Sequence, residues 1–375
     1  MKTIRIYETD SHARRLQARV LSCEEGENGW LVELDRTIFY PTGGGQPCDT
    51  GTLGGADVTE TLLRGETVLH RCTAALPVGA DVTGEIDWAR RLDLMQQHSG
   101  EHLVSGLIHA RFGYENVGFH LGADLVTIDF NGEVDEQALQ ELERAANEAV
   151  WADFAPHIWY PEPDELAGAV RLVQFGDIDL CACCGTHVAH TGEIGLIKLF
   201  STTHFRGGSR IEMACGGRAL AVLNALCAQN RDISVRLSAK PVQTAAAVAR
   251  LASERTEAQQ RAAALEDRLF ALLAQDGQTL RFEPPMPPES VRRLADAMVR
   301  ANGARCAVFA GQDGAWHYAM ADRDGDLRGL TKRLNAALQG RGGGKPGFVQ
   351  GSLAASRTDI EAFFTAESCS MPDPA

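Results

Sequence analysis

Two short stretches of this 375-residue chain each place two metal-binding side chains four positions apart. In "HSGEH" these are His98 and His102, and in "CCGTH" they are Cys183 and His187. Positions i and i+4 share one face of a helix, so the two histidines of the first stretch can hold one cation together. Zinc accepts imidazole and thiolate ligands. The two stretches therefore predict one four-ligand zinc site per chain.

The residues alone leave alternatives open. Cys181 and Cys184 could replace Cys183 as the sulfur ligand, and Gly185 disfavours a regular helix in this stretch. The letters H-x-x-E-H also match the inverzincin peptidases, in which Glu101 would act as general base. A third interpretation is an RNA-binding module whose zinc is purely structural.

The elements around these stretches predict an α+β fold. Short alternating segments over residues 1–87 predict a small β-barrel. From Trp88 onwards, apolar residues at helical spacing predict one helix that carries both histidines. The strands and the helix that follow predict an α+β domain over residues 88–235, and this domain includes "CCGTH".

The C-terminal part is predicted to contain a long helix and a further domain. Residues 242–275 are rich in Ala, Leu, Glu and Arg and contain no Gly or Pro, so we expect a connector helix within 236–280. Residues 281–375 predict an α/β domain with a hairpin and a helix that enters a glycine-rich loop. A homodimer through the long helix or the C-terminal domain is one expected arrangement, and a helix packed on its own domain is the other.

Composition narrows the class of protein. With 44% apolar and 23% charged residues, the chain has the composition of a soluble globular protein. No apolar run reaches the roughly 18 residues of a membrane span, and no signal peptide is evident, so we expect a cytoplasmic protein without a membrane partner. The net charge of −14 argues against indiscriminate nucleic-acid binding. Residues 281–350 nevertheless carry 11 Lys and Arg against 7 Asp and Glu, so a polyanion would be held from this end.

Several ordered motifs carry a resemblance to a known family. They are "FYPTGGGQPCDTG" (39–51), "QQHSGEHLVSG" (96–106), "GFHLGADLVTIDFNG" (118–132), "CCGTHV" (183–188) and "RGGSRIEMACG" (206–216). Together they resemble the stand-alone alanyl-tRNA editing proteins, which are related to the editing domain of alanyl-tRNA synthetase. The segment "GRGGGKPGFVQGS" (340–352) is similar to the glycine-rich motif of the DHH-associated domain, which implies the long form of this family.

The resemblance implies a zinc-dependent, trans-acting hydrolase. It assigns the zinc to His98, His102, Cys183 and His187 and gives Glu101 no peptidase role. The implied substrate is tRNA(Ala) wrongly charged with serine, and in some cases with glycine. Because four protein ligands close a tetrahedral site, we expect zinc to orient the substrate or water and not to serve as a dedicated source of hydroxide.

The "TGGGQ" stretch is predicted to act on the ester. Serine exceeds alanine by one hydroxyl, so selection requires a hydrogen-bonding site. We expect Gln46, Thr42 and Gly44 to take part in catalysis, while Gly43 and Gly45 let the backbone approach the acylated end closely. The alternative is a barrel turn with a solvated glutamine.

Four cationic residues are candidates for tRNA contacts. Arg206 and Arg210 would bind phosphate or serve the protein's own ion pairs. Arg341 and Lys345 flank a run of three glycines, where exposed amides and positive charge suit a backbone phosphate. Phe348 would stack on a base or be buried.

Overall fold

The computed structural model describes residues 3–161 and 170–369. The ends of the chain and residues 162–169, which belong to three of the predicted domains, lie outside the described residues. The chain divides into two compact units, residues 1–232 and 233–375, and both contain helices and sheets. The α+β class is confirmed, whereas the finer division at residues 87, 235 and 280 stays a prediction. None of the described helices combines the length and apolar character that crossing a bilayer requires.

Eight strands occupy the first part of unit 1. They are β1 (Ile4–Arg5), β2 (Arg15–Gly26), β3 (Gly29–Leu34), β4 (Arg36–Thr37), β5 (Gly51–Leu53), β6 (Ala56–Arg64), β7 (Thr67–Cys72) and β8 (Asp81–Ile86). Six of them pair in the order β2-β3-β7-β6-β5-β8, and β8 pairs with β2, which closes a barrel. Alternate residues point inward and build a core that includes Val20, Val32, Leu34 and Leu53. β1 pairs in parallel with β4 outside this barrel.

The remainder of unit 1 packs helices against an antiparallel sheet. Its elements are α1 (Trp88–Phe112), β9 (Asn116–Leu121), β10 (Val126–Phe130), α2 (Glu136–Trp151), β11 (His157–Trp159), β12 (Leu172–Phe175), β13 (Asp179–Ala182), β14 (Ile197–Phe205), β15 (Gly208–Cys215) and α3 (Gly216–Arg236). The sheet order is β14-β15-β10-β9, and β11, β12 and β13 form a separate three-stranded sheet. Apolar residues of α1 and α2, such as Leu103 and Leu142, share one buried core with Ile128 and Ile211 of the sheet.

Helix α1 carries the "HSGEH" stretch, as the sequence predicted. Asp87 caps its first turn by accepting a hydrogen bond from the Arg90 amide. Gly113 ends it in the left-handed conformation. Leu94 and Met95 are buried on the face toward the core, which fixes the rotation of the helix and hence the direction of its histidines.

A fully buried ion pair ties α1 to the barrel part of the chain. Arg91 Nε lies 2.9 Å from Asp49 Oδ1, and neither side chain is exposed. The same guanidinium donates to the carbonyl oxygens of Ile38 at 2.6 Å and Ser11 at 2.8 Å. Asp49 also accepts from the Tyr40 amide at 2.6 Å. Because both charges are buried and share these hydrogen bonds, they fix the start of α1 against the segment around "TGGGQ".

Unit 2 is built on a five-stranded sheet with helices on both faces. Its elements are α4 (Thr244–Leu273), β16 (Leu280–Glu283), α5 (Pro288–Asn302), β17 (Cys306–Gln312), β18 (Ala315–Ala321), α6 (Arg328–Ala337), β19 (Arg341–Lys345), β20 (Phe348–Leu353) and α7 (Arg357–Cys369). The sheet order is β16-β17-β18-β20-β19. Along β17, Phe309 packs on the side of α6 and α7, whereas Val308 packs on the side of α4 and α5.

The structure differs from the sequence prediction at the glycine run. Residues 341–345 were expected to form a loop, but they form the edge strand β19, antiparallel to β20. All five residues are exposed, so the strand is held by backbone pairing and contributes no buried side chain. Glycine weakens the strand signal in a sequence, which is why the pattern indicated a loop. The predicted hairpin of β17 and β18 is confirmed.

Candidate metal centre and the adjoining cavity

The four residues of the predicted zinc site converge. One ligand atom each from His98, His102, Cys183 and His187 lies within 4.8 Å of all the others. Cys183 Sγ is 3.5 Å from His98 Nε2 and 3.3 Å from His187 Nε2. Nitrogen and sulfur ligands at the corners of a zinc tetrahedron would be about 3.3–3.6 Å apart. The donor set and its spacing therefore fit a zinc ion.

The cysteine half of the site is a loop and not a helix. Cys183 and His187 follow β13 in an irregular segment. Arg171 holds that segment by donating from Nη1 to the carbonyls of Cys183 at 3.0 Å and Gly185 at 2.8 Å. A Cβ atom on Gly185 would lie 2.2 Å from His98 Cε1, so only glycine lets the loop approach the histidine ring this closely.

The other two cysteines of the cluster have different surroundings. Cys181 Sγ lies 3.4 Å from His102 Nδ1, a nitrogen that already contacts Asp179. Cys184 is exposed, and its sulfur lies 3.8 Å from the Tyr40 hydroxyl. Cys183 is therefore the cysteine that the structure places among the three imidazoles.

Each imidazole of the cluster has a partner on its other ring nitrogen. His98 Nδ1 lies 2.9 Å from Gln46 Oε1, His102 Nδ1 lies 2.7 Å from Asp179 Oδ2, and His187 Nδ1 lies 3.2 Å from Ser99 Oγ. Such contacts fix the tautomer and the ring orientation and leave Nε2 available for a metal. The sequence offered no periodic signal for Asp179 or Ser99, because neither residue belongs to the two metal-binding spacings.

The pKa values of Cys183 and His187 favour metal binding, whereas that of His102 favours its protonated form. Burial alone would raise the pKa of the Cys183 thiol, but hydrogen bonds from the surrounding imidazoles lower it to about 2. Burial lowers the pKa of His187 to about 3. For His102, burial opposes the charged form, but the contact with Asp179 raises the pKa well above the usual value. A thiolate beside a neutral His187 is the protonation state that zinc requires.

Gln46 is buried behind the cluster. Its side chain is 1% exposed, and its Nε2 donates to Thr186 Oγ1 at 2.8 Å. Gln46 Oε1 also accepts from the Thr186 amide at 3.1 Å. The residue predicted to contact the ester thus contacts His98 and the loop that carries His187, and a direct role in catalysis stays a prediction.

The glycines of "TGGGQ" form a tight turn beside the site. Gly43 and Gln46 exchange backbone hydrogen bonds, and Thr42 Oγ1 accepts from the Cys48 amide at 3.2 Å. Gly44 adopts a φ of 54°, and a Cβ atom there would lie 2.7 Å from Cys184 Sγ. A Cβ atom on Gly45 would likewise lie 2.6 Å from Cδ1 of the Phe119 ring. Thus Gly44 and Gly45 contact the site, whereas the Thr42 hydroxyl contributes to the turn.

Thr37, on β4, contacts a barrel residue and none of the metal ligands among the described residues. Its hydroxyl is 2.7 Å from His70 Nε2, and His70 Nδ1 is 3.1 Å from the Val32 carbonyl oxygen. Burial lowers the pKa of His70 to about 4. These contacts show that the Thr37 hydroxyl serves the barrel interior.

A cavity of about 470 Å³ opens directly onto the metal cluster. Its lining includes His98, His102 and Cys183 from the cluster and Gly44 from the turn. The other lining residues include Glu101, Ser105, His109, Tyr114, Glu115, Asn116, Phe119, Asp179 and Leu180. A volume of this size accommodates a small organic group.

The cationic candidates are placed differently in the two units. Arg210 forms a two-point ion pair with Asp129 on the neighbouring strand, at 2.7 and 2.8 Å, and its guanidinium lies 3.8 Å from the centre of the Phe205 ring. Arg206 occupies the turn between β14 and β15, with φ at 49°. Arg210 therefore serves one of the protein's own ion pairs, which is one of the two roles that the sequence suggested.

In unit 2, Arg341 and Lys345 occupy opposite ends of β19. Lys345 lines a cavity of about 510 Å³ together with Arg292, Arg300 and the half-buried Phe348. Arg341 lies opposite Ser352 and does not line that cavity. Lys345 is therefore better placed than Arg341 to bind an anion together with Arg292 and Arg300.

Comparisons with known proteins agree with this site. Residues 170–212 match the family model "Threonyl and Alanyl tRNA synthetase second additional domain", and residues 7–90 match "tRNA synthetases class II (A)". The first match includes Cys183 and His187 and the second includes Gln46. The metal loop therefore lies in a segment similar to a domain of threonyl- and alanyl-tRNA synthetases, and the barrel lies in a segment similar to class II tRNA synthetases.

Individual relatives narrow the class further. The chain is 26% identical to the alanyl-tRNA editing protein Aarsd1 of Danio rerio, over 94% of this chain and 95% of that protein. It is 32% identical to the alanyl-tRNA editing protein AlaX-L of Pyrococcus horikoshii, over 59% of this chain and 60% of that protein. Alanine–tRNA ligase of Halobacterium salinarum is 31% identical over 90% of this chain, which spans 36% of the ligase. The chain is therefore similar to the stand-alone alanyl-tRNA editing proteins over nearly its whole length.

Proposed function

We propose that this protein is a zinc-dependent, trans-acting hydrolase that removes serine, and also glycine, from mischarged tRNA(Ala) in the cytoplasm. The observation that carries the proposal is the convergence of four zinc-type ligands, three of which line a cavity of about 470 Å³. A cavity of this volume has room for an aminoacyl group. The names of the relatives support the reaction class.

The chain's own residues hold the site ready for the ester. His98, His102, Cys183 and His187 would hold the ion, and when bound it would supply a Lewis acid. Gln46, Asp179 and Ser99 keep the three imidazoles in the required tautomer. Since the four ligands complete a tetrahedral set, recognition of the amino acid falls to the other groups that line the cavity.

A polar lining would allow the site to prefer serine over alanine. A buried polar group that bonds the serine hydroxyl loses its partner when alanine is bound, which can discriminate by up to ~10⁴–10⁵. Ser105, which is half-buried, is a polar residue of this lining, and Asn116 is an exposed one. Glycine has no hydroxyl, so hydrolysis of its ester would depend on the small size of glycine.

A peptidase is the competing enzyme class. It would require Glu101 to act as the base that activates water. In the structure one oxygen of Glu101 accepts hydrogen bonds from Ser105 at 2.5 Å and Asn116 at 2.7 Å. Cys183 and His187 also fill the positions that an inverzincin leaves to a distant acid and to water. The geometry favours the esterase over the peptidase.

Single-turnover hydrolysis of seryl-, glycyl- and alanyl-tRNA(Ala) tests the proposal. The zinc-loaded protein should release serine and glycine faster than alanine, and removal of zinc by a chelator should abolish release until zinc is restored. Cleavage of a quenched peptide without action on charged tRNA would indicate a peptidase. Zinc-dependent stability without any ester hydrolysis would indicate an RNA-binding module.

A further inference from the structure

Glu101 lies beside the metal cluster without belonging to it. Residues 98, 101, 102 and 105 share one face of α1. Glu101 is 6% exposed and lines the cavity between two metal ligands and Ser105. The four-residue ligand set does not include it. A buried carboxylate that binds no metal requires another explanation, because an uncompensated buried charge is costly.

The two oxygens of this carboxylate have different surroundings. Oε1 accepts from Ser105 Oγ and Asn116 Nδ2, and Asn116 Nδ2 also lies 3.3 Å from Ser105 Oγ. Among the described residues, no hydrogen bond or ion pair reaches Oε2, and this atom is not among the buried polar atoms that lack a partner. Ser105 and Asn116 thus hold the carboxylate by one oxygen and leave the other facing the cavity.

The other carboxylates that line the cavity are already engaged. Asp179 contacts His102 Nδ1 at 2.7 Å. The Glu115 side chain is 65% exposed and pairs with His109 at 3.3 Å. No lysine or arginine is among the described residues that line the cavity. Glu101 therefore presents a carboxylate oxygen to the interior of the cavity, where the described residues supply no lysine or arginine.

We propose that Glu101 binds the α-ammonium group of the aminoacyl ester. The proposal rests on the proposed deacylase function. It adds the α-ammonium group to the parts of the substrate that the protein recognises, besides the side chain of the attached amino acid. The α-ammonium is the cationic group that every aminoacyl ester carries, whereas the attached tRNA is anionic. Ser105 and Asn116 act as positioning residues that orient the carboxylate. The protein then selects esters with a free amine and disfavours N-acylated ones.

Steady-state hydrolysis of seryl-tRNA(Ala) and N-acetylseryl-tRNA(Ala) by the zinc-loaded protein tests this assignment. Wild type should prefer the free amine. Glu101→Gln keeps the size of the side chain and removes its charge, so we expect KM for seryl-tRNA(Ala) to rise about ten- to hundredfold, the size of a lost charge-assisted hydrogen bond. Both kcat and turnover of the acetylated substrate should change by less than about threefold. Glu148→Gln, an exposed change on α2, should match wild type.

Three outcomes would overturn the assignment. An unchanged preference for the free amine in Glu101→Gln would show that another group, such as the bound metal, reads the amine. An equal loss of kcat on both substrates would make Glu101 a proton-transfer group. A loss of bound zinc or of thermal stability in Glu101→Gln would show a structural role. In that case Glu101→Asp, which keeps the charge, should lose activity as well, whereas under our proposal it retains part of the preference for the free amine. Wild-type protein inactive on both substrates would refute the proposed function itself.

Discussion

Replacing Gln46 with alanine separates two roles that this residue could have. The sequence places it in a motif that would contact the ester, whereas the structure places its amide against His98. If it acts on the metal site, Gln46→Ala should weaken zinc binding. If it acts on the ester, the same change should lower turnover without affecting zinc.

The size of the effect follows from the contacts that are lost. Gln46→Ala removes the bond to His98 Nδ1 and both bonds to Thr186, one of them from a buried amide. Loss of a partner that orients a metal-binding histidine typically costs ten- to a hundredfold in metal affinity, which is about 1.4–2.7 kcal/mol. The unpaired Thr186 amide should cost a further 1–3 kcal/mol, approximately, in the free energy of unfolding.

Competition with a chromophoric chelator measures the zinc dissociation constant, and single-turnover hydrolysis at saturating zinc measures the chemical step. We expect the dissociation constant to rise about ten- to a hundredfold, while hydrolysis at saturating zinc largely recovers. Gln137→Ala, an exposed glutamine of α2, serves as the control. An unchanged dissociation constant together with slow hydrolysis would refute the structural reasoning and support the ester contact.

Three other changes test separate parts of the molecule. Cys183→Ala should lose both zinc and deacylation, whereas the exposed Cys227→Ala should keep both; a Cys183 variant that retains zinc would disprove the ligand set. The pKa of buried His70 is about 4, below its unfolded value of about 6.5, so the unfolded state binds more protons between these values and stability should fall by roughly 3 kcal/mol as the pH drops from 6.5 to 4. His70→Gln should flatten that pH dependence in urea titrations, and an unchanged slope would contradict it. Lys345→Ala should weaken tRNA binding and reduce its salt slope by about one, and an unaltered slope would exclude a phosphate contact at Lys345.

The convergence of His98 and His102 was predictable because residues four positions apart on a helix share one face. Two histidines four residues apart on one helix must point in one direction, and α1 bears this out. The identity of the sulfur ligand did not follow from spacing alone. It depends on a loop held by Arg171, which lies 12 residues before Cys183 and has no pattern of its own.

The role of Gln46 shows a limit of reasoning from motifs. A glutamine after three glycines reads as an exposed turn residue that is free to meet a substrate. Its burial depends on the loop that carries Thr186, 140 residues later in the chain. For Glu101, the H-x-x-E-H pattern suggested a peptidase role, and the hydrogen bonds from Ser105 and Asn116 do not favour that role. Long-range pairings of this kind are a property of the folded chain.

The buried guanidinium at the start of α1 has a practical consequence for engineering. Its partners Asp49, Ile38 and Ser11 all precede the helix in the chain. A shortened protein that began at Trp88 would retain Arg91 and leave it without these three partners, in the very helix that bears His98 and His102. The histidine-bearing half cannot be grafted onto another scaffold by itself, and a successful transplant has to bring the first 87 residues along or replace Arg91 with an apolar side chain.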